Sequence, residues 1–153
     1  MAITYEPIAT QTLGTTATTI TFSSIPSTYT DLKVVLSFSM TGFSSVTFRI
    51  NGDATNGNYP SRELLAGSVS TTYFGSSSYS NAGGMITYDV FSYANTVGHK
   101  ALWATMFGFG GVGETLLKYG GRWASTSAVT SVTLGCSTFA AGTIATLYGI
   151  KAA

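Results

Sequence analysis

Apolar and polar residues alternate at a period of two along much of this chain. From Leu32 to Met40 every second residue is apolar, and the run from Val46 to Ile50 repeats the pattern. Successive side chains of a β-strand point to opposite faces, so this period predicts strands with one buried face. No stretch keeps the spacing of an amphipathic helix for more than about two turns. The pattern therefore predicts an all-β fold.

Turn signals rich in Gly and Asn separate these runs at intervals of about 8–14 residues, as at Asn51-Gly52 and Gly120-Gly121. Short strands at such intervals are typical of an antiparallel sandwich or barrel. Further strands are predicted at residues 19–22, 85–93, 100–107, 115–123, 130–134 and 145–150. Residues 18–22 resemble residues 129–134, either because the two strands pair as neighbours or by coincidence.

The first sixteen residues lack the clear alternation of the later strands and contain a proline. We therefore expect residues 1–16 to be a short extended N-terminal arm and residues 17–153 to be one β-sandwich domain. An arm of this kind can add to the sheet edge of a neighbouring molecule. Its candidate contact residues are Ile3, Tyr5, Pro7 and Ile8.

A second segment, residues 75–84 (GSSSYSNAGG), is small, polar and of low complexity. It is interpreted either as a flexible surface loop or as a contact loop that orders in an assembly. Aromatic residues on loops rich in Ser and Gly make adaptable contacts. Under the second interpretation the anchors are Tyr73, Phe74 and Tyr79.

Charged residues make up only 8% of the chain, with seven basic and six acidic side chains, where ordinary soluble domains have about 25%. There is no run of Lys or Arg of the kind that binds nucleic acid or anionic lipid. A near-neutral surface promotes association. The composition therefore favours a subunit of an assembly and predicts no nucleic-acid or membrane partner.

Residues for catalysis are correspondingly few, because the chain has one histidine, one cysteine and six acids. His99 is expected at the surface or an interface, and Cys136 is expected to be a buried free thiol. A hydrolase would need a carboxylate pair drawn from Glu63, Asp89 and Glu114, whose spacing does not suggest one. We predict no enzymatic activity, no catalytic residues and no cofactor.

Two motifs resemble ligand sites. Gly108–Gly113 fits G-x-G-x-x-G, but no helix and no acidic residue follow it as a dinucleotide site requires, so a hairpin loop is predicted. Asn51, Asp53, Asn56 and Asn58 crowd oxygen atoms into one loop. These oxygens suit either calcium or ordinary turn hydrogen bonds, and the second is favoured.

The N-terminal sequence lacks the basic and apolar regions of a signal peptide, and no apolar stretch reaches the length of a membrane span. We therefore expect the chain to be made and kept in a cytoplasm-like compartment, or to end in a particle assembled there.

Three segments together resemble a family of small structural proteins of tailed bacteriophages. They are TITFSSIPSTYTDL at 19–32, GRWASTSAVTSVTL at 121–134 and FAAGTIATLYGIKAA at 139–153. The resemblance covers both ends of the chain and leaves residues 41–120 to pattern alone. It implies a single jelly-roll-like antiparallel β-sandwich on a virion assembled in the host cytoplasm, and it carries over no catalytic residue.

Two roles on a virion fit these observations. In the first, the chain is a capsid decoration (cement) protein, a homotrimer that bridges subunits of the major capsid protein. In the second, it is a tail or head-fibre module that binds host surface glycans through exposed aromatic residues. Trp103 and Trp123 are the candidates for stacking, although both lie in hydrophobic runs that favour core packing.

Overall fold

The computed structural model describes residues 4–55, 57–64, 69–70, 74, 78–80, 83–110 and 113–151. These residues form thirteen β-strands and no helix, which confirms the all-β prediction. The strands are β1 (Thr4–Thr12), β2 (Ala17–Phe22), β3 (Asp31–Ser39), β4 (Phe43–Ser45), β5 (Thr47–Ile50), β6 (Ser61–Glu63), β7 (Val69–Ser70), β8 (Ser78–Ser80), β9 (Gly83–Val90), β10 (Lys100–Gly110), β11 (Gly113–Trp123), β12 (Val132–Phe139) and β13 (Ile144–Lys151).

Two antiparallel sheets form a β-sandwich, as predicted. The large sheet has eight strands in the order β1-β13-β3-β9-β10-β11-β6-β7, and the small sheet has the order β2-β12-β5. A short two-stranded sheet pairs β4 with β8. The jelly-roll topology remains a prediction.

The core lies between the two sheets. Alternate residues of β3 are buried, as their period of two predicted, and they include Leu32, Val34 and Leu36. Across the layer, the ring of Phe48 on β5 stacks on that of Tyr88 on β9, with centroids 4.4 Å apart and planes inclined by 17°. This contact joins the small sheet to the large one.

The two similar segments near the ends of the chain pair as neighbours. Strand β2 runs antiparallel to β12, with Ile20 opposite Leu134 and Phe22 opposite Val132. All four side chains are buried. Of the two interpretations of their similarity, the structure supports pairing.

The described part of the N-terminal segment is not a separate arm. Strand β1 pairs with β13 of the same chain, from Thr4 opposite Lys151 to Thr12 opposite Ile144. The expected boundary between arm and domain is therefore wrong, because residues 4–12 form an edge strand of the sandwich. The sequence did not indicate this strand because Pro7 lies within it, and proline is tolerated in sheets only at edges and bulges. The register shifts beside it, between Pro7 and Ala9.

The segment predicted as a loop at 75–84 is partly strand. Residues 78–80 form β8, which pairs with β4, and Gly83 and Gly84 begin β9. Residues 75–77 and 81–82 lie outside the described residues. Among the residues that the structure describes, no helical segment could span a lipid bilayer.

Candidate binding surface on the large sheet

The outer face of the large sheet, which points away from the small sheet, carries one row of side chains across six strands. Directly opposed residues of antiparallel strands share a face, so the register defines the row strand by strand. It runs through Tyr148, Lys33, Asp89, Trp103, Gly120 and Arg62. We call this set the Trp103 row.

Trp103 is the exposed aromatic residue at the centre of this row. Its side chain lies over Gly120 of the neighbouring strand, where an added β-carbon would be 3.2 Å from Cζ3 and 3.4 Å from Cε3 of the indole. The residue remains 37% exposed. The prediction that Trp103 packs in the core is therefore wrong, because the residue occupies an outward position of β10.

Three basic residues surround this indole. Arg62 is opposite Gly120, while Lys118 and Arg122 lie two positions to either side of Gly120 on the same face. All three residues are exposed. Salt bridges among the described residues join Lys33 to Asp89 at 2.5 Å and Lys151 to Glu6 at 3.0 Å. None of the three cations around Trp103 takes part in them.

The surface beside Trp103 is concave. One depression of about 360 Å³ is lined by Trp103, Gly120, Arg62, Glu63 and Leu64. A second depression of about 330 Å³, lined by Pro60 and Ser61, shares Arg62 and Gly120 with the first. The two therefore adjoin, and ligand pockets commonly enclose about 300–1,000 Å³.

The sequence did not indicate this cluster, because Arg62 is 56 residues from Lys118 and 41 from Trp103 along the chain. Only the pairing of β6 with β11 brings Arg62 beside Gly120. The sequence contains one indication of the cluster. In Lys118-x-Gly120-x-Arg122 the two basic residues are an even number of positions apart, which places both on one face of a strand.

A second row on the same outer face is apolar except for one serine. Ile144, Ser37, Met85, Phe107 and Leu116 oppose one another in register across five strands. Met85 is 49% exposed and Leu116 52% exposed. We call the four apolar residues of this row the Met85 strip. It lies four residues along β10 from Trp103, or about 13 Å.

The predicted contact residues have different environments. Tyr5 and Pro7 are exposed at the edge strand β1, and Ile8 is half-buried against the core. Phe74 is fully buried and packs near Tyr88, with centroids 6.4 Å apart. The ring of Phe74 is therefore part of the core, and the expectation that Phe74 is a surface anchor is wrong.

The remaining predicted contact residues are described only in part. Ile3 and Tyr73 lie outside the described residues. The backbone of Tyr79 belongs to β8, opposite Ser44 of β4.

Trp123, the second tryptophan, packs in the core as predicted and is 3% exposed. Its Nε1 donates a 2.7 Å hydrogen bond to Oδ2 of Asp53. That carboxylate also accepts hydrogen bonds from Asn58 Nδ2 and the Thr55 backbone N–H, each 2.8 Å long. Desolvation raises the pKa of Asp53, but the hydrogen bonds from Trp123, Asn58 and Thr55 outweigh it and hold the pKa well below its ordinary value.

The loop considered for calcium uses its polar groups within the chain. The Asp53 carboxylate accepts the three hydrogen bonds described above. The side chain of Asn51 forms hydrogen bonds with Ala128 O, Thr130 N and Ser131 N. Asn58 is the donor to Asp53, and Asn56 lies outside the described residues. The favoured interpretation, turn hydrogen bonding, is confirmed for Asn51, Asp53 and Asn58. No group of three or more His, Cys, Asp or Glu among the described residues is placed to hold a metal ion.

The carboxylates considered for hydrolysis lie on separate strands. Asp89 is on β9 opposite Trp103, while Glu63 is on β6 opposite the inward-facing Tyr119. Two strands lie between β9 and β6, and the two register positions belong to opposite faces. Glu114 is opposite Phe109 near the end of the β10–β11 pair.

Two further sequence predictions concern single features of the surface. Gly110 is opposite Gly113, so the glycine-rich motif at 108–113 connects the antiparallel strands β10 and β11. This pairing confirms the predicted hairpin.

His99 is exposed in the turn before β10, in agreement with a surface position.

A hydroxyl-rich cavity of about 450 Å³ lies against the small sheet. Its lining includes Arg49, Cys136, Thr47, Thr133 and Ser44. Several of these hydroxyls already bond within the chain, as Thr47 Oγ1 does to Gly135 O at 3.2 Å. Cys136 is half-buried, and burial raises the pKa of its thiol to about 11. The thiol is free, as expected, but half-buried where a buried position was expected.

No family model matches this chain, and no curated protein matches it significantly. Among solved structures it is similar to a marine PL-14 alginate lyase from Aplysia kurodai, with 12% identity, a TM-score of 0.38, and 84% of this chain and 72% of that chain covered. An aerolysin-like protein from Bombina maxima has 8% identity, a TM-score of 0.15 and 90% of each chain covered. At these TM-scores neither likeness bears on function.

Proposed function

We propose that this protein is a non-catalytic structural subunit of a bacteriophage virion, acting as a decoration protein on the outer capsid shell. The proposal rests on the resemblance of residues 19–32, 121–134 and 139–153 to small phage structural proteins. The structural observation that carries it is the Met85 strip, a row of apolar side chains on the outer face of the large sheet.

The strip supports an interface because three of its residues, Met85, Phe107 and Leu116, are neighbours on adjacent strands, and contiguous apolar surface marks sites of protein–protein contact. Met85 and Leu116 are about half exposed in the isolated chain, so a partner that covers them gains hydrophobic free energy. The partner in this proposal is the major capsid protein, and the decoration protein bridges its subunits as a homotrimer. Repetition of a modest interface over a lattice then supplies avidity.

Cryo-electron microscopy of virions that contain this protein tests the proposal. Density for the sandwich at symmetric positions on the capsid shell supports it, and density confined to the tail contradicts it. A Met85→Asp variant is expected to lose incorporation, since it places a charge in the strip. Val97→Asp is the matched control, because Val97 is 87% exposed in the turn before β10 and should still be incorporated.

A second candidate function is a tail or head-fibre module that binds host surface glycans. The exposure of Trp103 beside a depression favours it. A glycan array probed with the purified chain distinguishes this function: saturable binding together with localisation to a fibre supports it. Localisation to the capsid shell supports the decoration role.

A further inference from the structure

We infer that the surface around Trp103 is a binding site for an acidic saccharide, a sugar chain that carries carboxylate groups. The residues involved are Trp103, Gly120, Arg62, Leu64, Lys118 and Arg122, which we call the Trp103 platform. This inference goes beyond the virion role and does not depend on where in a virion the protein is located.

The stacking surface is the first element of the site. One side of the Trp103 ring is held against Gly120, at the 3.2 Å approach of Cζ3 to the position of an added β-carbon. The residue is 37% exposed, so the rest of the ring is open to a ligand. The electron-rich face of an indole attracts the C–H groups that line the apolar side of a sugar ring.

The second element is positive charge. The chain has only seven basic residues, and three of them surround Gly120. Lys118 and Arg122 are diagonal neighbours of Trp103 across the β10–β11 pair, at about 7–8 Å. Like charges repel, and neither salt bridge among the described residues includes these three. One carboxylate, Glu63, also lines the depression, where it accepts a 3.2 Å hydrogen bond from the Tyr119 hydroxyl. A carboxylate ligand would relieve that repulsion, and Arg62 and Arg122 offer the planar donor pairs that suit it.

The shape of the surface supplies the third element. The depressions of about 360 and 330 Å³ share Arg62 and Gly120, so the concavity continues past the ring. Leu64 borders it, and its backbone N–H donates a 2.9 Å hydrogen bond to Lys118 O, which fixes the residue beside β11. Arg62 is the cation that lines both depressions, while Lys118 and Arg122 lie beside them on the same face of β11.

A saccharide fits these observations better than single-stranded nucleic acid does. Grooves for single strands place several aromatic side chains in succession so that consecutive bases stack. The described outer face presents one tryptophan among its cations, and the next aromatic in the row, Tyr148, lies three strands away. The platform therefore provides one stacking contact with charges around it.

Isothermal titration calorimetry of the full chain tests the inference, with tetragalacturonate as the acidic probe and cellotetraose as the neutral one. We expect saturable binding of the acidic probe, at least about tenfold tighter than the neutral one, and weaker binding at high salt. Trp103→Ala should weaken it about tenfold, and Lys118→Ala or Arg122→Ala severalfold with a smaller dependence on salt.

Matched controls exist at the opposite edge of the sheet. Lys151→Ala removes the same charge, and Tyr5→Ala removes an exposed aromatic residue, so both variants should bind like the wild type. Trp103→Tyr keeps a ring and should retain most of the affinity, which separates loss of stacking from misfolding. Circular dichroism checks the fold of each variant.

Three results overturn the inference: no saturable binding of tetragalacturonate, equal affinity for cellotetraose, or unchanged affinity in Trp103→Ala. Tighter binding of a single-stranded DNA oligonucleotide with the same sensitivity to the variants also overturns it and assigns the platform to nucleic acid. None of these results touches the decoration role. Met85→Asp should leave saccharide binding unchanged, so the two proposals fail independently.

Discussion

Trp103 on β10 and Gly120 on β11 form a side-chain-to-backbone contact in which the indole lies directly beside the position that a β-carbon would take. An added β-carbon at Gly120 would be 3.2 Å from Cζ3 of the ring, closer than an ordinary van der Waals contact. Glycine at this position therefore lets the ring lie against the sheet beside Arg62. A residue with a β-carbon at this position would need the ring to move by a few tenths of an ångström or more.

The first prediction concerns this contact. Gly120→Val should displace the Trp103 ring, because its β-carbon and methyl groups need the same space. We expect acrylamide quenching of tryptophan fluorescence to increase, since Trp123 is buried and Trp103 supplies the accessible emission. The free energy of unfolding should change by about 1 kcal/mol or less, because the ring can move into solvent.

Gly98→Val is its control, since no atom lies within 4 Å of an added β-carbon at Gly98. This control should leave the quenching constant unchanged. Equal quenching in Gly120→Val and the wild type would contradict the described position of the ring.

The second prediction concerns Asp53 and Trp123. The hydrogen bonds from Trp123, Asn58 and Thr55 hold the pKa of Asp53 below its ordinary value of 3.8. The stability that they contribute is therefore present above about pH 4 and is lost as pH falls toward the lower folded-state pKa. Asp53→Asn removes the charge, and we expect it to lower the free energy of unfolding by about 1–3 kcal/mol at neutral pH.

Urea denaturation between pH 7 and pH 2.5 measures this effect. The difference between wild type and Asp53→Asn should stay constant down to about pH 4 and shrink below it. A difference that is independent of pH throughout would show that ionised Asp53 does not stabilise the fold.

The third prediction concerns the contact between the two sheets. Phe48→Ala removes the ring that stacks on Tyr88 at 4.4 Å, and the cavity should cost about 3–5 kcal/mol. Phe91→Ala is the control, because Phe91 is exposed, and it should cost about 1 kcal/mol or less. Guanidinium denaturation monitored by circular dichroism checks both variants. Similar losses in the two variants would contradict the core position of Phe48.

The fourth prediction concerns the reactivity of Cys136. Burial raises the pKa of its thiol to about 11, and only the thiolate reacts with disulfide reagents. At pH 8 the native protein should therefore react with Ellman's reagent roughly a hundredfold more slowly than the unfolded protein. The native rate should keep rising toward pH 11. Equal rates in the native and denatured protein would contradict the protected position of this thiol.

The amino-acid sequence determined the class of fold and most of the strands, because a strand with one buried face needs alternating residues wherever it lies. The alternation at Leu32–Met40 predicted β3, and the similarity of 18–22 to 129–134 anticipated two paired strands. Glycine and asparagine marked the turns, since they tolerate the positive φ angles found at Gly42, Asn51 and Gly52.

Only the tertiary structure decided which strands pair and which residues meet at the surface. Around Trp103, hydrophobic residues occur at both odd and even positions of β10, so the alternation of polar and apolar residues did not show which face of the strand is buried. Trp123 is on the inward face of β11, opposite the buried Lys100, and Asp53, seventy residues away, accepts its N–H, while Trp103 faces outward. Arg62 joins Lys118 and Arg122 through the pairing of β6 with β11. Such pairings depend on contacts between distant segments, which a local pattern of residues does not encode.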